Sequence, residues 1–145
     1  MKAYERAVRF LSRRAHFRRE LEVKLRRRNH PDDEVEETLE RLERQGYLDD
    51  RETARQYARG RLERKPQGFL KLVSDLQRKG ADPDLAREVA QEVLPEDDGE
   101  LVREAARRWA RRASDPEDGQ ALARHLERQG FSRGSIVRVV QDMDA

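Results

Sequence analysis

The 145 residues contain no cysteine, are 43% charged and are only 6% aromatic, which excludes disulfides, thiolate chemistry and cysteine-ligated zinc. No apolar run approaches the roughly 20 residues of a membrane span, and charges interrupt the opening MKAYERAVRFL where a leader peptide would be apolar, so a cytoplasmic protein without a membrane partner is expected. The 32 basic and 30 acidic side chains nearly cancel, to +2, so local patches matter more than total charge.

Leu, Ala, Glu and Arg dominate, and Gly and Pro sit at spaced joints. Apolar residues recur at helical spacing, so the fold class is all-α. In chain order, a first helix carries Ala3, Ala7 and Leu11. A second carries Leu21 and Leu25 and ends in LRRRNH. A third carries Val35, Thr38 and Leu39 and ends in LERQGY. Charge is segregated here: residues 1–28 hold eleven Lys/Arg against Glu5, Glu20 and Glu22, and residues 32–50 hold nine Asp/Glu against Arg41 and Arg44. Asp32, Asp33, Glu34, Glu36 and Glu37 suit a helix N-terminus, where the dipole favours negative charge. Asp49 and Asp50 read as caps of a helix beginning near Glu52. His16 could cap the second helix, and His30 reads as a turn or packing residue.

The next helices repeat the plan. One carries Ala54, Tyr57, Ala58 and Leu62. The next carries the i, i+3, i+4, i+7 stripe of Phe69, Leu72, Val73 and Leu76 and ends in LQRKGA. The third begins at DPD, with Asp82 as N-cap and Pro83 in the first turn, and carries Ala86, Val89, Ala90 and Val93. The last stretch has Ala105, Trp109 and Ala113, then Leu122 and Leu126 ending in LERQGF, then a helix with Ile136, Val139 and Val140 capped by Ser132. A shift of about 51 residues superposes these sets. The reading is therefore three tandem three-helix units, 1–50, 51–98 and 99–145, stacked as an elongated, curved solenoid. The recurring Leu-x-Arg/Lys-x-Gly phrase is a helix-ending formula: Leu anchors the core, the cation meets the negative end of the dipole, and Gly takes the left-handed position. Asn29 stands in for Gly in the first unit.

No constellation for catalysis or metal binding emerges. His16, His30 and His125 are isolated, and there is no phosphate loop or nucleophile elbow. An enzyme, a metal and a cofactor are not expected. Trp109, Tyr57 and Phe69 could stack on bases, though Trp109 sits at a packing position. RHLERQGFSRGSIVRVV has a loose helix-turn-helix look that any three-helix unit shows.

The stretch GYLDDRETARQYARGRLERKPQGFLKLVSDLQRKG at 46–80 closely resembles the characteristic segment of RecX proteins, bacterial modulators of the RecA recombinase. Gly46, Tyr47, Leu48, Asp50, Arg61, Lys65, Gly68, Leu72, Asp75, Leu76, Lys79 and Gly80 match its pattern. RAVRFLSRRAHFRRELEVKL resembles the family's first unit and LERQGFSRGSI its last, so nearly the whole chain is covered. Two departures stand in the first unit. Phe17 replaces the usual Ser or Thr cap, and Asn29-His30 replaces Gly-Phe. The resemblance implies a non-enzymatic regulator, working as a monomer, that binds the RecA filament on single-stranded DNA and limits filament growth, ATP hydrolysis and strand exchange. Weak direct DNA binding is compatible with it. Candidate contacts are the cations off the apolar stripes: Arg13, Arg14, Arg18, Arg19, Arg26, Arg27 and Arg28, then Arg59, Arg61, Arg64, Lys65 and Lys71. The alternatives are a direct DNA-binding repressor or nucleoid protein, and a helical protein-interaction scaffold.

Overall fold

The structure, a computed structural model, describes residues 1–143. Those residues form nine α-helices: α1 (Ala3–Arg13), α2 (Arg18–Arg27), α3 (Asp32–Arg44), α4 (Asp50–Arg64), α5 (Phe69–Lys79), α6 (Pro83–Val93), α7 (Gly99–Arg112), α8 (Gly119–Arg128) and α9 (Arg133–Met143). Helix starts follow the cap chemistry. Asp49 accepts from the amides of Arg51 and Glu52, Asp82 from Asp84 and Leu85, Asp118 from Ala121, and Ser132 Oγ from Ser135.

Four helices end in one way. Asn29, Gly46, Gly80 and Gly130 have φ of 64°, 78°, 129° and 87°. The amide of the next residue returns to the anchoring leucine's carbonyl oxygen: His30 to Leu25, Tyr47 to Leu42, Ala81 to Leu76 and Phe131 to Leu126, at 3.0–3.4 Å. Each is a Schellman ending. All four leucines are fully buried.

The helices pack as successive trios, and every extensive helix–helix contact lies within α1–α3, α4–α6 or α7–α9. Each trio has its own core. Leu21, Leu25, Leu39 and Leu42 centre the first, Leu72, Leu76 and Val89 the second, and Leu122, Leu126 and Phe131 the third. Trp109 packs on the third core, as its helical position implies. The stack is extended. Its accessible surface is 9407 Å², against about 7,800 Å² for a compact monomer of this mass.

Three local expectations are corrected. Phe69 opens α5 and is 37% exposed, so only Leu72, Val73 and Leu76 of its stripe are buried. His16 is buried but caps no helix: its Nδ1 meets the Arg14 carbonyl oxygen at 3.1 Å and its Nε2 meets Lys24 Nζ at 2.7 Å. Asp50 does not cap α4. Its carboxylate accepts from the Arg18 amide of α2 at 2.8 Å, while Glu20 accepts from the Phe17 amide at 3.0 Å. The missing Ser/Thr cap is thus supplied across the first junction, and Phe17 is free to bury itself in the second core.

That junction has a counterpart. The closing turn of α5 sits on the start of α2, where a Cβ on Gly80 would lie 3.2 Å from Phe17 Cβ. The closing turn of α8 sits on the start of α5. There the Gly68 and Leu70 amides donate to the carbonyl oxygens of Gln129 and Gly130 at 2.7 and 3.4 Å. A Cβ on Gly68 would lie 2.4 Å from the Gly130 oxygen, and one on Gly130 2.3 Å from the Lys71 nitrogen. The backbones meet only because both residues lack side chains. The middle helices of the trios therefore run head to tail as a spine.

Candidate functional site

The twelve candidate cations separate by their partners. Five of them are tied into the fold: Arg14 to Glu20 at 2.9 Å, Arg18 to Glu36 and Glu43 at 2.6 and 2.8 Å, Arg26 to Glu22 and Asp32 at 2.8 and 3.2 Å, and Arg61 and Lys71 to Asp75 at 3.1 and 3.9 Å. The two Arg18 carboxylate partners raise its pKa further above the usual arginine value. Asp75 is only 3% exposed and also accepts from the Gln67 amide nitrogen at 2.9 Å. Arg61 and Lys71 thus neutralise a buried carboxylate. Arg13, Arg19, Arg27, Arg28, Arg59, Arg64 and Lys65 make no ion pair among the described residues.

Four of these seven, Arg19, Arg27, Arg64 and Lys65, gather at the junctions together with other cations. A cleft of about 500 Å³ between the first two trios is lined by Arg19, Lys24, Arg27, Arg78 and Lys79, with Glu20 as its one acid among the described residues. A second, of about 320 Å³, brings Arg14, Tyr57, Arg64 and Lys79 together, again beside Glu20. A third, of about 370 Å³, lies between α4, α7 and α8 and is lined by Arg64, Lys65, Arg108, Arg111, Arg112 and His125. Lys79 borders the first and second clefts, and Arg64 the second and third. The three clefts form one basic track that crosses both junctions. Within it Lys24 lies 5.0 Å from the Phe10 ring centroid and Lys79 5.7 Å from that of Tyr57. Burial, then Arg14, pushes the Lys24 pKa down. Burial, then Lys65, Arg128 and Arg112, pushes His125 down.

Sequence reasoning placed Arg14, Arg19, Arg27, Arg64 and Lys65 in this set. It missed Lys24, Arg78, Lys79, Arg108, Arg111, Arg112 and His125. The repeat itself carried a signal: at a shift of 51, Arg27 and Arg28 fall on Arg78 and Lys79, Arg13 and Arg14 on Arg64 and Lys65, and Arg61 on Arg112. Arg13, Arg28 and Arg59 line none of the three clefts. A track of guanidinium and ammonium groups can hold phosphates or carboxylates. Among the described residues no group of three or more His, Asp or Glu is placed to hold a metal ion, and no helix is long and apolar enough to cross a membrane.

Comparison with known proteins gives a consistent result. The sequence pattern of RecX, first three-helix domain, matches residues 3–42, and that of RecX, second three-helix domain, matches residues 49–89. A regulatory protein RecX of Prosthecochloris aestuarii is 32% identical over 143 residues, covering 98% of this chain and 93% of the relative. One from Legionella pneumophila is 32% identical over 149 residues, covering 98% and 95%. The crystal structure of RecX from Lactobacillus salivarius superposes with a TM-score of 0.85 at 24% identity, over 98% of this chain and 94% of that one. A second crystal structure of a regulatory protein RecX gives a TM-score of 0.82 at 25% identity, over 97% and 70%.

Proposed function

The chain belongs to the RecX family of regulatory proteins, and we propose that it is a non-enzymatic, monomeric inhibitor of RecA that acts on the RecA filament assembled on single-stranded DNA. The observation that carries this reading is the basic track running across both junctions of an extended stack. The trios are read as the units 1–50, 51–98 and 99–145. An extended stack of such units can span neighbouring filament subunits where a compact globule of the same mass would touch one. A nucleoprotein filament presents DNA phosphates and protein carboxylates side by side, so local cationic clefts find partners there although the chain's total charge is only +2. Bare DNA rewards summed positive charge and offers this chain less. Lodged along the filament, the stack would oppose subunit addition and the rearrangements that accompany ATP hydrolysis and strand exchange.

Mobility shifts on single-stranded DNA, duplex DNA and RecA-coated single-stranded DNA, with RecA from the same organism, test this. The coated strand should be bound tightest and its ATP hydrolysis slowed. Preference for a particular duplex would favour a direct DNA-binding repressor instead, and no binding to any of the three would favour a protein-only scaffold.

A further inference from the structure

The cleft between α4, α7 and α8 differs from the rest of the track. The other two clefts each include Glu20. Among the described residues this one has no carboxylate in its lining; Arg64, Lys65, Arg108, Arg111 and Arg112 line it together with Pro66 and Ala105. Its volume, about 370 Å³, falls within the roughly 300–1,000 Å³ of small-ligand sites. Arg108 is set in place beforehand: its Nε lies 3.1 Å from Glu104 Oε1 and its Nη1 donates to the Arg64 carbonyl oxygen at 2.8 Å. Helix dipoles account for cations in the last turns of α4 and α7. They do not account for two such ends meeting in one cleft where Glu104 pairs with Arg108, alone of the five cations, and Arg64, Lys65, Arg111 and Arg112 have no ion-pair partner among the described residues, since like charges repel.

We propose that this cleft is a phosphate-binding pocket, taking a phosphate group of single-stranded nucleic acid or of a free polyphosphate among Arg64, Lys65, Arg108, Arg111 and Arg112. Planar guanidinium forks match phosphate oxygens, and four of the five cations are arginines. The pocket belongs to the track invoked above but does not depend on RecA. His125 on α8 reports on it. Burial of the ring first, then the charges of Lys65 after α4, Arg128 on α8 and Arg112 on α7, push its pKa down. An anion seated among these cations offsets their repulsion of the imidazolium and so raises its pKa.

The test is thermal unfolding and calorimetric titration of the full chain near pH 7 with pyrophosphate, against sodium chloride at matched ionic strength. Pyrophosphate should raise the midpoint above the chloride control. In NMR it should shift the titration of His125 upward and leave that of His16 in place. Arg111 and Arg112 are exposed and unpaired among the described residues, so R111Q/R112Q should fold normally and bind pyrophosphate at least about tenfold more weakly, as expected for two lost charge-assisted contacts. R133Q/R138Q, which removes two exposed cations from α9, should bind as the unsubstituted chain does. Competition by a phosphodiester oligonucleotide, but not by its uncharged methylphosphonate counterpart, would identify nucleic acid as the source; failure of both to compete would identify a free polyphosphate. A midpoint no higher than in chloride, or an equal response from R111Q/R112Q, overturns the pocket. A chain that fails here yet inhibits RecA rejects the pocket alone. One that binds pyrophosphate yet leaves RecA untouched rejects the partner alone.

Discussion

Asp75 shows how much one side chain decides in a core this thin. Burial raises the cost of its charge, but the Gln67 amide, Lys71 and Arg61 outweigh that and hold its carboxyl below the ordinary aspartate range. Because the folded value lies below the unfolded value of about 3.9, its contribution is complete above that pH and is lost as pH falls through the folded value. Asp75→Asn should therefore destabilise by about 1–3 kcal/mol at neutral pH. Urea midpoints at pH 7 and pH 3 check this: the gap to the unsubstituted chain should narrow at pH 3, and a constant gap would contradict the assignment. The same geometry bears on two candidate contacts. Reversing Arg61 or Lys71 strips a buried carboxylate of a partner, so loss of inhibition in such variants would have to be read beside loss of stability. Neither role was legible beforehand, because Asp75 lies on the face of α5 beside Leu72 and Leu76 and only the packed trio shows which cations reach it.

At the scale of the element, helix ends were the most legible feature and junctions the least. A cap is written in a few adjacent residues, so the endings at Asn29, Gly46, Gly80 and Gly130 and the caps at Asp82 and Ser132 follow from local chemistry. Asp50 capping α2 and Gly68 meeting Gly130 join residues 32 and 62 positions apart, which no local pattern encodes. Phe69 shows the complementary error: its periodicity is right, but α5 begins there and the side chain stays exposed. These differences can be measured. Leu76→Ala should cost about 2–5 kcal/mol, since the leucine is fully buried. Gly80→Val should cost about 1 kcal/mol or more because φ is 129° and Phe17 is close. Gly60 lies within α4 with nothing within 4 Å of an added Cβ, so Gly60→Ala should stabilise by about 0.5–1 kcal/mol. Denaturant midpoints of the three variants should therefore move down, down and up. A fall for Gly60→Ala, or an unmoved Leu76→Ala, would put the helix register in doubt.

For the molecule as a whole, the all-helical, repeating plan was readable because the period of about 51 residues is carried by buried Ala and Leu positions. The track was only half readable. Charge alone cannot separate Arg64, which lines two clefts, from Arg18, which two glutamates hold. Seen on the structure, Arg19, Arg27, Arg64, Lys65 and Lys79 gather where trios meet, so stacking both builds the molecule and assembles its charged surface. The central claim is that this surface acts on RecA filaments. Its most direct test is the rate of ATP hydrolysis by RecA on single-stranded DNA, titrated with the full chain and with R64E/K65E/R78E, which alters track cations at both junctions and spares Arg61 and Lys71. Arg78 also lies 3.5 Å from Asp75 but is largely exposed, so that pair contributes little. At about 1 kcal/mol per lost contact, the variant should need on the order of a hundredfold more protein for half-inhibition, with its helical content unchanged. Equal inhibition by both proteins would contradict the track, and no inhibition by the unsubstituted chain would contradict the assignment to RecA.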